Sequence, residues 1–353
     1  MLLFFFIIHI VVSSSKSFII TKPTSAKYST SLPLFWKIAN KNELQCSSPK
    51  KIVFNDFPIA IYKDKFHKFV AISDICVHRG ASLSRGTLLN NNCLQCPYHG
   101  WEYKNGLVEN IPGCPDVTGG LFGAPQFELK ELNDDIFMRP TYDINSNTGI
   151  TYNHTIYIPP EASDKKFVRI SGKLCMKRPF SMVTENVLDM MHISYVHSFG
   201  NPLSPVPFKI QYEDLDPLSG KTTFHYTSGF SSMSRRLGGA KFVIVENEFH
   251  LPDTTVTRVT ANHLVKTIIT HCYPVSKTES ILHYELYRNF LTSHTLNPLF
   301  HSQMIKALHE DINIMHSVYD DYFIGFMSNK YDITQLNYRK KMKWFLKNET
   351  DIN

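Results

Sequence analysis

No apolar run in this 353-residue chain is long enough to cross a bilayer. A spanning helix needs about 20 such residues, and the longest stretch, LLFFFIIHIVV at positions 2–12, stops after 11 and contains His9. That excludes a multi-span membrane protein. Cysteine is scarce and odd in number: seven do not make a disulfide framework, whereas 16 histidines leave ample material for metal sites. Acidic residues are missing altogether before Glu43. No Gly-x-Gly-x-x-Gly follows a strand-like segment, and no other nucleotide signature occurs, so nothing in the sequence points to a bound dinucleotide. Internal repeats and heptads are also lacking, and no low-complexity tract occurs outside the N-terminus, which removes solenoids and coiled coils.

What remains is an ordinary globular composition, 43% hydrophobic, 13% aromatic and 19% charged, in a length that suits two domains. The formal charge of +6 permits an acidic partner without requiring one. Three of those charges, Lys16, Lys22 and Lys27, fall in a Ser/Thr-rich segment directly after the apolar run. Residues 1–32 therefore read as a targeting presequence. A signal-like run followed by a transit-like run resembles the bipartite presequences of proteins imported into plastids of secondary origin, so a plastid location is expected. Secretion, a cytoplasmic or membrane-associated location, and an inert tail are the alternatives. The sequons at Asn153 and Asn348 do not decide between them. Cleavage near residue 32 would leave a formal charge of +3, which removes the case for a nucleic-acid partner.

The mature chain divides by pattern. Residues 34–142 run in short alternating segments separated by Asp, Gly, Pro and Asn turns, as expected of a small all-β domain over 33–145. Periodicity is lost over 143–160, which ends in Pro159-Pro160. A second domain is expected over 160–345, with helices at 181–197 and 301–319 and strands at 221–230, 241–250, 254–262, 264–273 and 280–290. Helices flanking antiparallel strands imply an α+β layer around an internal cavity. Phe224, Tyr226, Phe242, Phe249, His263, His283 and Tyr287 are the side chains expected to line or pack around it.

The strongest chemical signal is Cys76-Val77-His78, then 17 residues, then Cys96-Pro97-Tyr98-His99. Each of two loops supplies one thiolate and one imidazole. A [2Fe–2S] centre uses this set when one iron takes two Cys and the other two His, because neutral imidazoles reduce the cluster's negative charge and raise its potential. Tetrahedral zinc also accepts Cys2His2, and Cys93 with Cys96 makes a Cys-x2-Cys arm. Zinc spacing normally groups like ligands, however, and Cys93 is read as a bystander. The segment resembles the Rieske domain of Rieske-type non-haem iron oxygenases, in the spacing, in His78-Arg79-Gly80 and in CPYHGW at 96–101, with 111–113 where that family has a covering loop. The resemblance implies that Cys76 and Cys96 bind one iron, and His78 and His99 the other. It also implies an α+β chain in which an N-terminal all-β Rieske domain precedes an antiparallel-sheet-plus-helices domain of helix-grip, START-like type.

Such a chain needs a second, mononuclear iron, and TENVLDMMHISYVH at 184–197 supplies candidates. By resemblance His192 and His197 bind Fe(II), and Asp189 connects that iron to a Rieske cluster. Five residues at 100° each put the two histidines about 140° apart on a regular helix, so a break or π-turn is expected between them, near 193–196, whereas Asp189 and His192 share a face. The carboxylate must come from elsewhere. Met304, Leu308 and Met315 form an apolar stripe on which Asp311 also falls, and a carboxylate facing a core needs a partner or a metal. Asp311 is the expected third ligand, as it is in the family's Glu/Gln-Asp pattern. Glu310 is the alternative, otherwise a solvated neighbour, and His309 and His316 are expected at the surface.

The resemblance implies an oxidoreductase, a monooxygenase or dioxygenase that uses O2 to oxygenate a small cyclic or aromatic substrate. Electrons would come from a separate ferredoxin or flavin reductase, steered to the cluster by Arg79 and Arg85, and the assembly would be a homotrimer. The presequence favours a chlorophyll-derived tetrapyrrole, and a soluble aromatic demethylating or hydroxylating monooxygenase is the alternative. An electron-transfer protein with a degenerate second domain, or a zinc-binding protein, would share only part of this pattern.

Overall fold

A computed structural model describes residues 34–44, 48–114, 122–140, 155–230, 232–319, 325 and 327–350. The expected presequence, most of the segment between the domains and the Asn153 sequon lie outside these residues.

The N-terminal part is all-β. Strands β1 (Trp36–Asn40), β2 (Lys50–Phe54), β3 (Phe57–Lys63), β4 (Phe69–Ser73), β9 (Gln126–Leu132) and β10 (Asp135–Arg139) form one sheet in the order β1-β10-β9-β4-β3-β2. Between β4 and β9 the chain builds a small four-stranded sheet, β5 (Thr87–Leu88), β6 (Leu94–Gln95), β7 (Glu102–Lys104) and β8 (Leu107–Asn110). Its turns were written in the sequence. The two-residue loops Asn55-Asp56, Asn105-Gly106 and Asn133-Asp134 each begin with Asn at positive φ, the residue that tolerates the left-handed geometry a tight hairpin needs.

The C-terminal part is one seven-stranded antiparallel sheet with helices packed against it. Its strands, β11 (Val168–Met176), β12 (Phe208–Asp216), β13 (Ser219–Thr227), β14 (Phe242–His250), β15 (Thr254–Ala261), β16 (Leu264–Pro274) and β17 (Ser280–Arg288), lie in the order β11-β17-β16-β15-β14-β13-β12. The helices are α1 (Phe180–Leu188), α2 (Ile193–Val196), α3 (Met233–Gly238), α4 (Asn297–Ser317) and α5 (Ile333–Thr350). Five of these strands fall where alternation placed them. Strands β11 and β12 and helix α5 were missed, because the exposed faces of β12 and α5 dilute their apolar period. Helix α4 begins with Pro298 in its first turn and buries Phe300, Met304, Leu308, Asp311 and Met315 along one stripe. That stripe packs on Ile170, Leu282, Tyr284 and Leu286 of β11 and β17.

Strand β1 joins the two parts. Trp36 is fully buried, with Phe54 at 5.4 Å and Phe180 at 5.5 Å. Beside it Lys37 crosses from one sheet to the other, its Nζ 2.9 Å from Asp135 and 2.6 Å from Glu285, which also accepts from Arg169 at 3.0 Å. Burial pushes the Glu285 pKa up, but Lys37 and Arg169 outweigh it and hold the carboxyl far below its usual range. Asp135, sharing Lys37 with a second carboxylate, is pushed upward, by burial first and by Glu285 against the pull of Lys37.

Candidate metal centres

The first centre is two copies of one turn. Cys76 N–H bonds the Ala81 carbonyl and Gly80 N–H returns to the Cys76 carbonyl; likewise Cys96 N–H bonds Trp101 and Gly100 N–H returns to Cys96. Gly80 and Gly100 close these turns at φ of 72° and 71°, conformations other residues rarely adopt. A Cβ on Gly100 would also sit 3.2 Å from Pro112, so the 111–113 loop lies over this turn. The turns put Cys76 and Cys96 inside, each 2% exposed, and His78 and His99 toward solvent, their rings 4.6 Å apart. Trp101 stacks on His78 at 4.6 Å and 5°, which fixes the imidazole plane. Tyr103 accepts the Val77 N–H at 3.1 Å, leaving its own O–H to donate to Cys76 Sγ at 3.0 Å.

This donor set fits a two-iron cluster better than one zinc. Ligands on a single tetrahedral ion, about 2.0–2.3 Å from it, must all lie within 4 Å of one another. Among the described residues the only three ligand atoms that converge within 4.8 Å belong to the second centre. His78 Nδ1, meanwhile, is buried with no hydrogen-bond partner, as a cluster ligand would be. Cys93 is buried in the turn before the second loop, consistent with a packing role. Arg79 and Arg85 are exposed nearby.

The second centre forms where α1 stops. The break lies before His192 rather than between the histidines. Asp189 is extended at ψ 125°, α2 is a single helical turn over 193–196, and the chain leaves helical geometry again at His197, ψ 137°. Extended backbone at Asp189 and again at His197 brackets the single turn that carries the two imidazoles. Asp189 and His192 therefore do not share a helix face as expected. Instead the Asp189 carboxylate accepts the Met191 N–H at 2.7 Å, capping the turn, and its carbonyl accepts His192 Nδ1 at 2.9 Å. Helix α2 is pinned from below by Ser194, whose hydroxyl bonds Asn201 O and the Tyr226 hydroxyl. A Cβ on Gly200 would meet the Ile193 carbonyl at 2.3 Å, so only glycine lets the chain return beneath this turn.

His197 Nδ1 bonds Glu310 Oε2 at 3.1 Å. With both Nδ1 atoms committed as donors, both Nε2 atoms carry lone pairs, and they face each other at 3.2 Å. Asp311 Oδ1 lies 3.4 and 3.5 Å from them, buried and without a hydrogen bond. Three such atoms converging call for one shared cation, a proton or a metal. Octahedral ligands about 2.1 Å from a metal sit about 3 Å apart, close to this triangle. Burial pushes the His192 pKa down, yet the Asp311 carboxylate prevails and raises it; His197, lowered first by burial, stays low beside His192. A proton on His192 and a divalent metal thus compete for one place.

Glu310 is not the solvated neighbour expected of it, since it orients His197 and also faces the Ser198 N–H at 3.4 Å. Its hydrogen bond is the kind of outer contact that fixes a ligand's tautomer. Phe199, also unforeseen, stacks on His197 at 4.8 Å and 13°. His309 and His316 are exposed.

A cavity of about 420 Å³ opens onto this triangle, lined by Val243, Val245, Val259, Ile268, Leu286 and Phe300 among others. Of the seven pocket side chains expected from sequence, only Tyr226 lines it. Phe224, Phe249, His283 and Tyr287 are buried in the core, whereas Phe242 is 48% exposed and His263 lies in a turn at the surface. Alternation turns Phe242, His283 and Tyr287 to the other face of the sheet, whereas Phe224 and Phe249 share the face of Tyr226 and Val245 but are packed in the core beside the cavity.

Two family models match. One, the Rieske [2Fe-2S] domain, covers residues 35–127, and the other, the vanillate O-demethylase oxygenase C-terminal domain, covers 176–347. The chain belongs to the Rieske-type non-haem iron oxygenase family. Its Rieske domain is the [2Fe–2S] module of that family and its sheet-rich C-terminal domain the non-haem iron module. Among curated relatives it is similar to methylxanthine N1-demethylase NdmA of Pseudomonas putida, 50% identical over 167 residues (45% of this chain, 44% of the relative). The dicamba O-demethylase oxygenase component of Stenotrophomonas maltophilia is 28% identical over 164 residues, 46% of each chain. The chloroplastic pheophorbide a oxygenase of Oryza sativa subsp. japonica is 27% identical over 190 residues, 50% of this chain and 36% of the relative. These matches span less than half of each relative's length. The fold likeness is fuller: dicamba monooxygenase bound to dicamba superposes with a TM-score of 0.74 at 17% identity, covering 91% of this chain and 99% of the other.

Proposed function

We propose that this chain is the terminal oxygenase of an electron-transfer system and uses O2 to hydroxylate or demethylate a small aromatic substrate. Cys76, Cys96, His78 and His99 would hold the [2Fe–2S] cluster, and His192, His197 and Asp311 the iron. When bound, the cluster would supply electrons one at a time and the iron would activate O2. The observation that carries the reading is the triangle of two imidazole Nε2 atoms and the orphaned Asp311 oxygen at the floor of an apolar cavity. The chain's own part is to present two imidazoles and the Asp311 carboxylate to the cavity and to exclude water with Val, Ile and Phe side chains.

The exposed histidine edge of the cluster, with Arg79 and Arg85 nearby, supports an acidic ferredoxin or a flavin reductase as the electron donor. A homotrimer in which Asp189 lies between one subunit's iron and its neighbour's cluster is consistent with the apolar surface left open beside α2, where Tyr195 is 65% and Leu203 88% exposed. At about 420 Å³ the cavity lies at the small end of the range for sites that hold drug-sized ligands. That favours a one- or two-ring substrate over a tetrapyrrole, so the demethylase-like reading leads. The similarity to chloroplastic oxygenases and the N-terminal composition support a plastid location; no described helix is long and apolar enough to cross a membrane.

The test is anaerobic reconstitution followed by metal analysis and turnover. About three irons per chain, a Rieske electron paramagnetic resonance signal and O2-dependent product with a ferredoxin and reductase are expected. Two irons with an intact Rieske signal and no O2 uptake would make the chain an electron carrier.

A further inference from the structure

Beyond the N-terminal segment, the excess positive charge of this chain lies in one place. Residues 33–329 carry 28 basic and 28 acidic side chains, whereas 330–347 carry six basic ones against Asp332 alone, and no further acid occurs before Glu349. This stretch is helix α5 with the turn that leads into it, and neither metal centre draws on it.

Helix α5 is docked by one face. Tyr338, Met342 and Phe345 are buried with Leu188, Phe249 and Leu251. The flanking cations are already paired, Arg339 Nε with Glu185 at 2.8 Å and Lys341 Nζ with Asp214 at 3.0 Å. On the opposite side Leu336, Lys340, Lys343 and Trp344 are all exposed. At 100° per residue they span an arc of about 100°, centred roughly opposite the buried stripe. Among the described residues Lys340 and Lys343 enter no ion pair, unlike Arg339 and Lys341. Of the three tryptophans, Trp36 is fully buried and Trp101 stacks on His78, whereas Trp344 is 51% exposed and Leu336, two turns before it, 41%. A merely solvated helix face mixes both signs of charge. This one carries a single sign, interleaved with an indole and a leucine.

We infer that α5 lays this face on an anionic lipid surface, Lys340 and Lys343 at the headgroup phosphates and Trp344 and Leu336 at the boundary between headgroups and acyl chains. The inference stands apart from the oxygenase reading and does not rest on it. The chemistry of the face favours lipid over an acidic protein. An indole partitions to the headgroup level of a bilayer, where its ring is apolar and its N–H stays wet. Lysine does the same with its stem and ammonium. A convex helix ridge suits a plane, whereas a protein partner would have to supply a pocket for Trp344 to be an anchor. Each ammonium close to an anionic surface strengthens partitioning about fivefold, so two give reversible attachment and not the permanence of a spanning helix.

Residues from Ser31 to Asn353 form one compact unit, and a chain that starts there leaves out the apolar run at 2–12 and the lysines that follow it. It can be sedimented with vesicles of phosphatidylcholine alone and of phosphatidylcholine with about one-third phosphatidylglycerol. Binding to the anionic vesicles should exceed binding to the neutral ones by about tenfold or more, and should be lost at about 0.5 M salt. Lys340→Gln with Lys343→Gln should weaken it about 25-fold, and Lys340→Arg with Lys343→Arg should keep it. Anionic vesicles should also shift indole emission to the blue, and Trp344→Ser should remove that shift. The Rieske spectrum checks the fold of every variant. Equal binding to both kinds of vesicle, or none to either, overturns the inference. So does binding that survives the double glutamine variant, which would place the contact elsewhere on the chain, and so does a salt-sensitive complex with an acidic protein in place of vesicles. O2-dependent turnover should be unchanged in all these variants, so failure here leaves the oxygenase reading as it was.

Discussion

All four candidate ligands of the first centre fall between positions 76 and 99, on two loops with the same hydrogen-bond plan, whereas those of the second lie at 192, 197 and 311 and meet only because α4 packs beside α2. The first is a local device. Its glycine turns and its Cys-to-His order are properties of short segments, and the small sheet beneath them packs on β3 and β4 of the same domain. The second is a property of the packed domain: remove the stripe that docks α4 on β11 and β17, and Asp311 has no reason to be near either histidine. Local centres can be read from spacing, and non-local ones only from pattern plus packing.

The sharpest way to separate the two is to delete a ligand from each. Asp311→Ala should abolish mononuclear iron binding and turnover, by well over the roughly 100-fold that loss of an outer-shell partner costs, while leaving the Rieske spectrum unchanged. Cys96→Ala should do the converse to the cluster. Retained turnover in Asp311→Ala would remove this residue from the iron. The next largest effect tests what ties the regions together. Lys37→Met leaves the buried Glu285 and Asp135 across the junction of the two sheets with Arg169 as their one remaining cation, at a cost of about 3 kcal/mol. Calorimetry should show the two domains unfolding in separate steps; a single unshifted transition would mean that β1 packing around Trp36 holds the junction by itself.

Legibility followed the same division. The hairpin turns, the five strands found by alternation, the Cys and His loops and the Asp311 stripe were all visible, because each is a relation among residues a few positions apart. A break in this helix was expected, but between the histidines rather than at Asp189, since angular spacing says that two side chains cannot share a regular helix without saying where the helix yields. Glu310 was misjudged for a related reason. Its 100° offset from the Asp311 stripe does point away from the core, yet His197 lies on that side, and only the tertiary crossing shows it. Asn247 on β14 and Lys266 on β16, both in the cavity wall, gave no signal in sequence at all, because one polar residue on a mixed strand is unremarkable until its neighbours are known.

Glu310→Gln tests that misjudged residue. Glutamine keeps the size and an oxygen for His197 Nδ1 but removes the negative charge, so a loss of about 10-fold to 100-fold in iron affinity or activity is expected. An unchanged iron titration would reduce Glu310 to a packing contact. The comparison predicts that this variant leaves the cluster potential where it was.

The smallest expected effect lies at the local centre. Burial pushes the Tyr103 hydroxyl far above its usual pKa, so it stays protonated, and because the Val77 N–H occupies its oxygen the proton is directed at Cys76 Sγ. A donor to a cluster sulfur stabilises the reduced, more negative state and raises the potential. Tyr103→Phe removes that hydrogen bond while keeping the ring that packs against Val108 and Leu94. One hydrogen bond worth about 1 kcal/mol corresponds to roughly 40 mV for a one-electron couple, so redox titration should find the variant's potential lower by about that amount. Because the first centre is self-contained, iron content at the second should not change, and a variant that lost mononuclear iron as well would show that the two centres are coupled through the fold after all.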